Sequence, residues 1–340
     1  MELTEDDFSL IHALQLQPRA SWTDLSPILG RSAVTLARRW EHLTDRGLAW
    51  VTAYPTSRAD NRSIIALVEV ACSLRDVEHL SRELARFPEV ATIEQAARDR
   101  NLILTILVRD LEALSTLILE VFPKVDGMES TRSHLLSRTF LEGSSWRLDA
   151  LDGPQLQSLQ RLGPTTTERP PSVLGDPYLP IANALAFDGR MSATTIAERI
   201  NRPVQTVRRQ LTTLIRSGAI TFRCEIAQAQ TRTPVCVNWW CRLPSAHWED
   251  ALRRLRTLPE LRLCGAMTGP TNFLITTWLS SLSNVTELQG WLERELAPIE
   301  IVDSSVTLRF YKRMGWLLHS DSRATGETIP FTAPMLSIED

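Results

Sequence analysis

No stretch of this chain is apolar for anything near the ~20 residues that cross a bilayer; the longest runs are of the kind seen at Leu102–Val108. Nor does it open like a secretion signal, since Met1–Phe8 is acidic where a signal peptide is basic. Cysteine is scarce and odd in number. Cys72, Cys224, Cys236, Cys241 and Cys264 contain no C-x-x-C pair, so neither a disulfide framework nor a zinc site is indicated, and they read as small core residues. There is no P-loop, no dinucleotide fingerprint and no Ser-His-Asp set, and the histidines (His12, His42, His79, His134, His247, His319) are scattered. These absences point to a cytoplasmic protein, away from any membrane, with no metal, no cofactor and no enzymatic activity.

What is present suits a globular protein. At 340 residues, 23% charged and 43% apolar, the chain has room for about two to four domains. Its net charge of −3 alone argues against a nucleic-acid partner, but the charge is unevenly placed. Met1–Pro55 holds five arginines against seven acids, a net of −2, whereas Ile181–Arg223 holds seven arginines against two acids, a net of +5.

The strongest signal is internal. At an offset of 171 residues Gly30 meets Asn201, Arg38 meets Arg209, Gly47 meets Gly218, Pro88-Glu89 meets Pro259-Glu260, and Asn101-Leu102 meets Asn272-Phe273. One gapless offset across so long a span implies duplication of a two-part module, giving the order A-B-A′-B′.

Module A reads as a helix-turn-helix. Thr4 with Asp7 makes a capping box before Phe8, Ile11 and Leu14; Ser21 and Asp24 open a short second helix, which Pro27 kinks or shortens. Gly30, matched by Asn201, marks a turn that needs the left-handed region. Ser32 then caps a third helix with Leu36, Trp40 and Leu43 inward and Thr35, Arg38 and Arg39 outward. In the second copy Pro203 starts the helix, Val207, Leu211 and Leu214 face inward, and Gln205, Thr206, Arg208 and Arg209 face outward. Gly47 and Gly218 end these helices, and Leu48–Tyr54 and Ala219–Ile226 follow as wing-like strands. An exposed face of arginine, threonine and glutamine is what reads bases and phosphates in a major groove, so double-stranded DNA is the expected partner.

Module B reads as strand, helix, strand, strand, helix, strand: Ile64–Cys72, Asp76–Phe87, Val90–Ala96, Leu102–Val108, Leu111–Phe122 and Thr131–Phe140, then Val235–Cys241, Ala246–Leu258, Leu261–Ala266, Phe273–Leu279, Val285–Leu296 and Ile301–Phe310. This is the order of a ferredoxin-like split β-α-β. One sheet face takes the helices, and the open face should meet the other module B of the same chain. The turn Thr268-Gly269-Pro270-Thr271-Asn272 is a candidate effector site, with Thr268, Gly269 and Asn272 around a small amphoteric ligand; the first copy has Arg98-Asp99-Arg100-Asn101 there, making Asp99 and Asn101 its counterparts.

Thr4–Tyr54 with Ile64–Phe140, and again Ile181–Arg223 with Val235–Arg313, resembles the Lrp/AsnC family of transcription factors. The family pattern of Ser, an apolar residue, Arg, Leu and Gly is met at Ser32, Leu36, Arg39, Leu43 and Gly47; in the second copy Pro203 and Gln210 depart from it while Val207, Leu214 and Gly218 fit. The resemblance implies an α+β protein of tandem winged helix-turn-helix and ferredoxin-like (βαββαβ) units. It further implies a DNA-binding regulator responding to an amino acid or related small metabolite, and a homo-oligomer of pseudo-dimeric chains. The expected boundaries are 1–55, 62–142, a linker over 143–180 with a short helix at Pro154–Leu162, 181–226, 233–315, and a tail over 316–340. Two other readings stay open: a haem-biosynthesis decarboxylase on the same fold, and an interaction module in which one helix-turn-helix is degenerate.

Overall fold

A computed structural model describes residues 3–56, 63–97, 100–163 and 176–331. The first unit runs α1 (Glu5–Leu16), α2 (Trp22–Leu29), α3 (Ala33–Asp45) and β1 (Ala49–Pro55). Each helix starts where a side chain can satisfy free N–H groups: Thr4 and Asp7 form a reciprocal capping box, and Ser21 and Ser32 accept from Asp24 and Thr35. Pro27 lies inside α2, which extends only to Leu29, so the lost hydrogen bond falls in the helix's last turns.

The next unit runs β2 (Ile64–Ala71), α4 (Val77–Ala85), β3 (Val90–Ala96), β4 (Leu102–Val108), α5 (Leu111–Thr116) and β5 (Ser130–Leu141). After α6 (Gly153–Arg161) the same orders return as α7 (Leu179–Phe187), α8 (Ala193–Arg199), α9 (Val204–Arg216) and β6 (Ile220–Ile226), then β7 (Val235–Arg242), α10 (Trp248–Leu255), β8 (Leu261–Met267), β9 (Phe273–Leu279), α11 (Ser283–Glu295) and β10 (Glu300–Arg313). The mixed α+β class expected from the sequence is the one observed.

The two ferredoxin-like sheets join within the chain. Their strand orders are β3-β4-β2-β5 and β8-β9-β7-β10, and β5 also pairs with β8 while β10 also pairs with β3, so eight strands close into a ring. Strand length makes this possible. β5 pairs with β2 up to Leu136 and with β8 from Leu136 onward, and β10 pairs with β7 up to Thr307 and with β3 from there. At 12 and 14 residues these strands are about twice the usual length, and closure leaves the ring without an open edge. Inside it Leu67, Ile103, Trp240 and Leu274 pack together. The wing-like strands pair as well: β1 lies antiparallel to β6, from Ala49 opposite Ile226 to Pro55 opposite Ile220.

Two segments differ from expectation. The span after Gly143 was expected as a linker with one short helix; α6 is that helix, but the described part around it is a packed strut rather than a loose spacer. Trp146 lies edge-on to Trp278 at 4.8 Å and its indole N–H donates to the Pro259 carbonyl at 3.1 Å. Leu151 and Leu159 are buried, each worth about 1.5–3 kcal/mol, and Gln155 of α6 donates to Ile28 of α2 at 3.1 Å. Residues from 316 were expected as a tail. Instead β11 (Trp316–Leu318) and β12 (Ala324–Thr328) form a hairpin, with Trp316 buried 5.7 Å from Trp50 and its indole N–H donating to Ala186 at 3.2 Å. Proline-rich or aperiodic sequence hides such segments because their apolar residues contact distant elements rather than following a helix or strand period.

Candidate functional site

The third helices are built alike and charged differently. In both copies the preceding turn takes positive φ, 63° at Gly30 and 51° at Asn201, so the structure needs the left-handed residue at each place. Leu36, Trp40 and Leu43 are buried on α3, as are Val207, Leu211 and Leu214 on α9. On the outer face Thr35 and Arg38 are exposed, as are Gln205, Arg208 and Arg209, with Thr206 half-buried. Thr35 gives its N–H to the Ser32 hydroxyl at 3.1 Å. Arg39 differs from the rest: one terminal nitrogen donates to Asp7 at 2.7 Å and to Thr4 at 3.0 Å, and the other to Asp6 at 3.2 Å. Its side chain is 26% exposed. The acidic start of α1 thus holds one of the two arginines expected to face DNA in the first copy. Among the described residues no carboxylate pairs with Arg38, Arg208 or Arg209.

The effector turns are engaged elsewhere. Asn101 accepts the Cys72 N–H at 3.0 Å, and at the equivalent place Asn272 accepts from Leu243 N–H and donates to its carbonyl, both at 2.9 Å. These asparagines clamp the end of one strand to the start of another. Thr268 is bonded to β5 in both directions, donating its N–H to Leu135 at 2.9 Å and accepting the Leu135 N–H on its hydroxyl at 3.1 Å. Gly269 has φ +114°, and a Cβ there would lie 3.3 Å from Nδ1 of His134. Thr268 and Gly269 therefore sit at the joint with the first copy's last strand, while Asn272 is tied to the end of β7 in its own copy. Asp99 lies outside the described residues. His134 is buried with Nε2 3.5 Å from Glu69, and burial, ahead of the repulsion from Arg132 and Arg100, depresses its pKa.

A second charged group was not foreseen. Arg223 and Glu225 on β6, Arg262 on β8 and Arg313 at the end of β10 meet where the wing strands cross the ring. Arg313 Nη2 lies 2.9 Å and Arg262 Nη2 3.2 Å from Glu225 Oε2, and Arg223 contacts Oε1. Burial alone would raise the Glu225 carboxyl, but Arg223, Arg313 and Arg262 outweigh it and hold it below its ordinary value. Arg262 lies over Trp278 at 4.0 Å. Glu94 accepts from Thr307 at 2.6 Å and from Asn238 at 3.1 Å, with its pKa raised by burial. A cavity of about 120 Å³ opens between these groups. The available signal was the repeat itself, because the residues 171 positions before Arg223, Glu225, Arg262 and Arg313 are Thr52, Tyr54, Ala91 and Glu142, so the arginines belong to one copy only.

Residues 65–146 match the family model of the Lrp/AsnC ligand binding domain. An uncharacterized HTH-type transcriptional regulator of Pyrococcus horikoshii is 28% identical over 138 residues, 40% of this chain and 87% of that protein. The HTH-type transcriptional regulator FL11 of the same organism is 24% identical over 41% of this chain and 93% of its own length. The likeness to Lrp/AsnC proteins is thereby shown for a part of the chain. Over the whole length the likeness is to other proteins. The siroheme decarboxylase NirDL, in a complex with an iron-uroporphyrin III analogue, matches with a TM-score of 0.54 at 15% identity over 98% of this chain and 96% of that one. Another structure of that enzyme matches with a TM-score of 0.52 at 16% identity and 92% coverage. This corrects the expectation that the chain has no enzymatic activity, because the architecture it shares from end to end is that of an enzyme. No helix among the described residues is long and apolar enough to cross a membrane.

Proposed function

We propose that this protein is a cytoplasmic, sequence-specific DNA-binding transcriptional regulator that responds to a small metabolite, with both helix-turn-helix units of a regulator dimer carried in one chain. The observation that carries this reading is the pair of third helices, each set behind a positive-φ turn, with Arg38 on one and Gln205, Arg208 and Arg209 on the other exposed and, among the described residues, unpaired. Its sequence relatives bear the names of helix-turn-helix transcriptional regulators, which supports it. Since Thr35/Arg38 and Thr206/Arg208/Arg209 differ, the two half-sites are expected to be non-identical and about one helical turn apart. The test is to recover genomic DNA fragments retained by the purified protein and footprint one. A single protected, non-palindromic site that Arg208→Ala/Arg209→Ala abolishes supports the reading; retention indifferent to those arginines overturns it.

A second reading, chemistry on a tetrapyrrole, is favoured by the likeness to siroheme decarboxylase along nearly the whole chain. Titration with an iron uroporphyrin, followed by absorption, separates the two. A saturable spectral shift with one macrocycle per chain supports this second reading, and a spectrum equal to the sum of the components counts against it.

A further inference from the structure

The cavity beside Glu225 lies across the pseudo-two-fold axis of the ring. Four pairs of repeat-related residues line it together, Leu67 with Asn238, Thr92 with Leu263, Thr105 with Thr276, and Gly143 with Met314. Two identical copies would furnish such a space with identical halves. Here the halves differ, since one copy contributes Arg223, Arg262 and Arg313 and the other has uncharged residues or an acid at the equivalent places. The first copy forms the same fold without these arginines, so the fold does not require them.

The arginines are also more numerous than their partners. Three guanidiniums face the carboxylates of Glu225 and Glu94. Arg313, whose side chain is 4% exposed, gives Nη2 to Glu225 and to the Ile226 carbonyl, while Nε and Nη1 are buried without an acceptor. A buried guanidinium with two unsatisfied donors is costly unless an anion completes it. The rest of the wall is mainly apolar, with Leu67, Leu263, Leu274 and Phe310 outweighing the few polar groups of Thr92, Thr105, Asn238 and Thr276. An inorganic anion bearing oxygens in all directions would leave some of them against hydrocarbon. A carboxylate with a short apolar tail satisfies both ends.

We infer that this cavity is a binding site for a short-chain monocarboxylate, its carboxylate held by Arg313 and its neighbours and its tail lying along the apolar wall between the two sheets. Size limits the ligand, since a cavity near 150 Å³ holds benzene, so ~120 Å³ admits roughly four to six non-hydrogen atoms. That such a ligand would serve as the metabolite of the regulator rests on the reading proposed above; the existence of the site does not, and it is tested without DNA.

Propionate is the probe. Calorimetric titration of the full chain, with thermal melting in parallel, is expected to give a saturable isotherm near one ligand per chain and a raised melting temperature. Phosphate and 1-propanol at matched ionic strength are expected to give neither. Arg313→Gln should weaken propionate binding at least tenfold. Because that variant strips a partner from Glu225 and risks misfolding, Thr105→Ile serves as the second: it keeps every charge and puts a methyl group into the cavity from the opposite sheet, and is expected to weaken binding similarly in a protein that melts cooperatively. Absence of saturable propionate binding to the unaltered protein, equal binding of phosphate, or undiminished affinity in folded Thr105→Ile would each overturn the assignment.

Discussion

Replacing Arg208 and Arg209 by alanine should harm DNA binding more than replacing Arg38 and Arg39, for a reason visible in the hydrogen bonds. Each arginine that neutralises a phosphate releases counterions, so log K falls by ~0.9 per contact for each decade of salt. Arg208 and Arg209 are exposed and have no carboxylate partner among the described residues, so the first double mutant should flatten the salt slope by about 1.8. Arg39 is held by Asp7 at 2.7 Å and Asp6 at 3.2 Å, which leaves Arg38 as the one contributor in the other pair and a change of about 0.9. Between 50 and 200 mM salt those increments correspond to roughly 12-fold and 3.5-fold of salt-dependent affinity. Fluorescence anisotropy of a labelled duplex across that range measures both. Asp6→Asn/Asp7→Asn supplies the converse, since freeing Arg39 should steepen the slope by about 0.9 and do so only while Arg39 is present. Equal slopes in the two double alanine mutants would refute the argument that α1 withholds Arg39 from DNA.

Three further outcomes concern stability. His12 is buried, accepts the Ala150 N–H on Nδ1 at 3.2 Å, and has its pKa lowered by burial to about 4. Its contribution is therefore whole above pH 6.5 and is lost as pH falls toward 4, on the order of 3 kcal/mol, so urea unfolding at pH 7 and pH 4.5 should differ less in His12→Gln than in the unaltered chain. Lys312 is fully buried, donates to the carbonyls of Ala85 and Phe87 at 2.9 Å, and is depressed by burial to about 7. The unfolded chain then binds more protons between pH 7 and 10.5, so stability should rise with pH through that window by up to ~5 kcal/mol, and Lys312→Met should abolish the rise in denaturant titrations. Asn272→Ala strands the Leu243 N–H and removes one of two donors from its carbonyl, which the Trp248 indole still serves at 3.0 Å, and should cost about 2 kcal/mol by chemical denaturation, with Asn101→Ala, which loses the single bond to Cys72, costing less.

The helices and their turn were legible because their causes are local. A cap three residues from its partner, an inward residue every third or fourth position, and a Gly or Asn where φ must be positive are all contained in one short window. The strands of the ferredoxin-like units were legible for the same reason, although the last strand of each runs longer than its expected span, Ser130–Leu141 and Glu300–Arg313. The asparagines of the two turns were legible as a pair, but their bonds to the backbone were not. A turn asparagine has the same appearance whether its amide meets a ligand or a backbone, and the backbone it meets, at Cys72 or Leu243, is 29 residues away.

The sequence by itself determined the repeat, the kinds of element and the uneven charge of the two helix-turn-helix units, since each is a matter of residue order and short-range preference. Tertiary structure decided which of those charges are free. Asp6 and Asp7 reach Arg39 across more than thirty positions, Glu225 gathers arginines from three strands, and β5 and β10 cross from one sheet to the other. An arginine in solvent, one neutralised by a carboxylate and one buried with unsatisfied donors are the same letter in a sequence. They differ only in dielectric and in neighbours, and both are set by which distant segments the fold brings within a few ångströms.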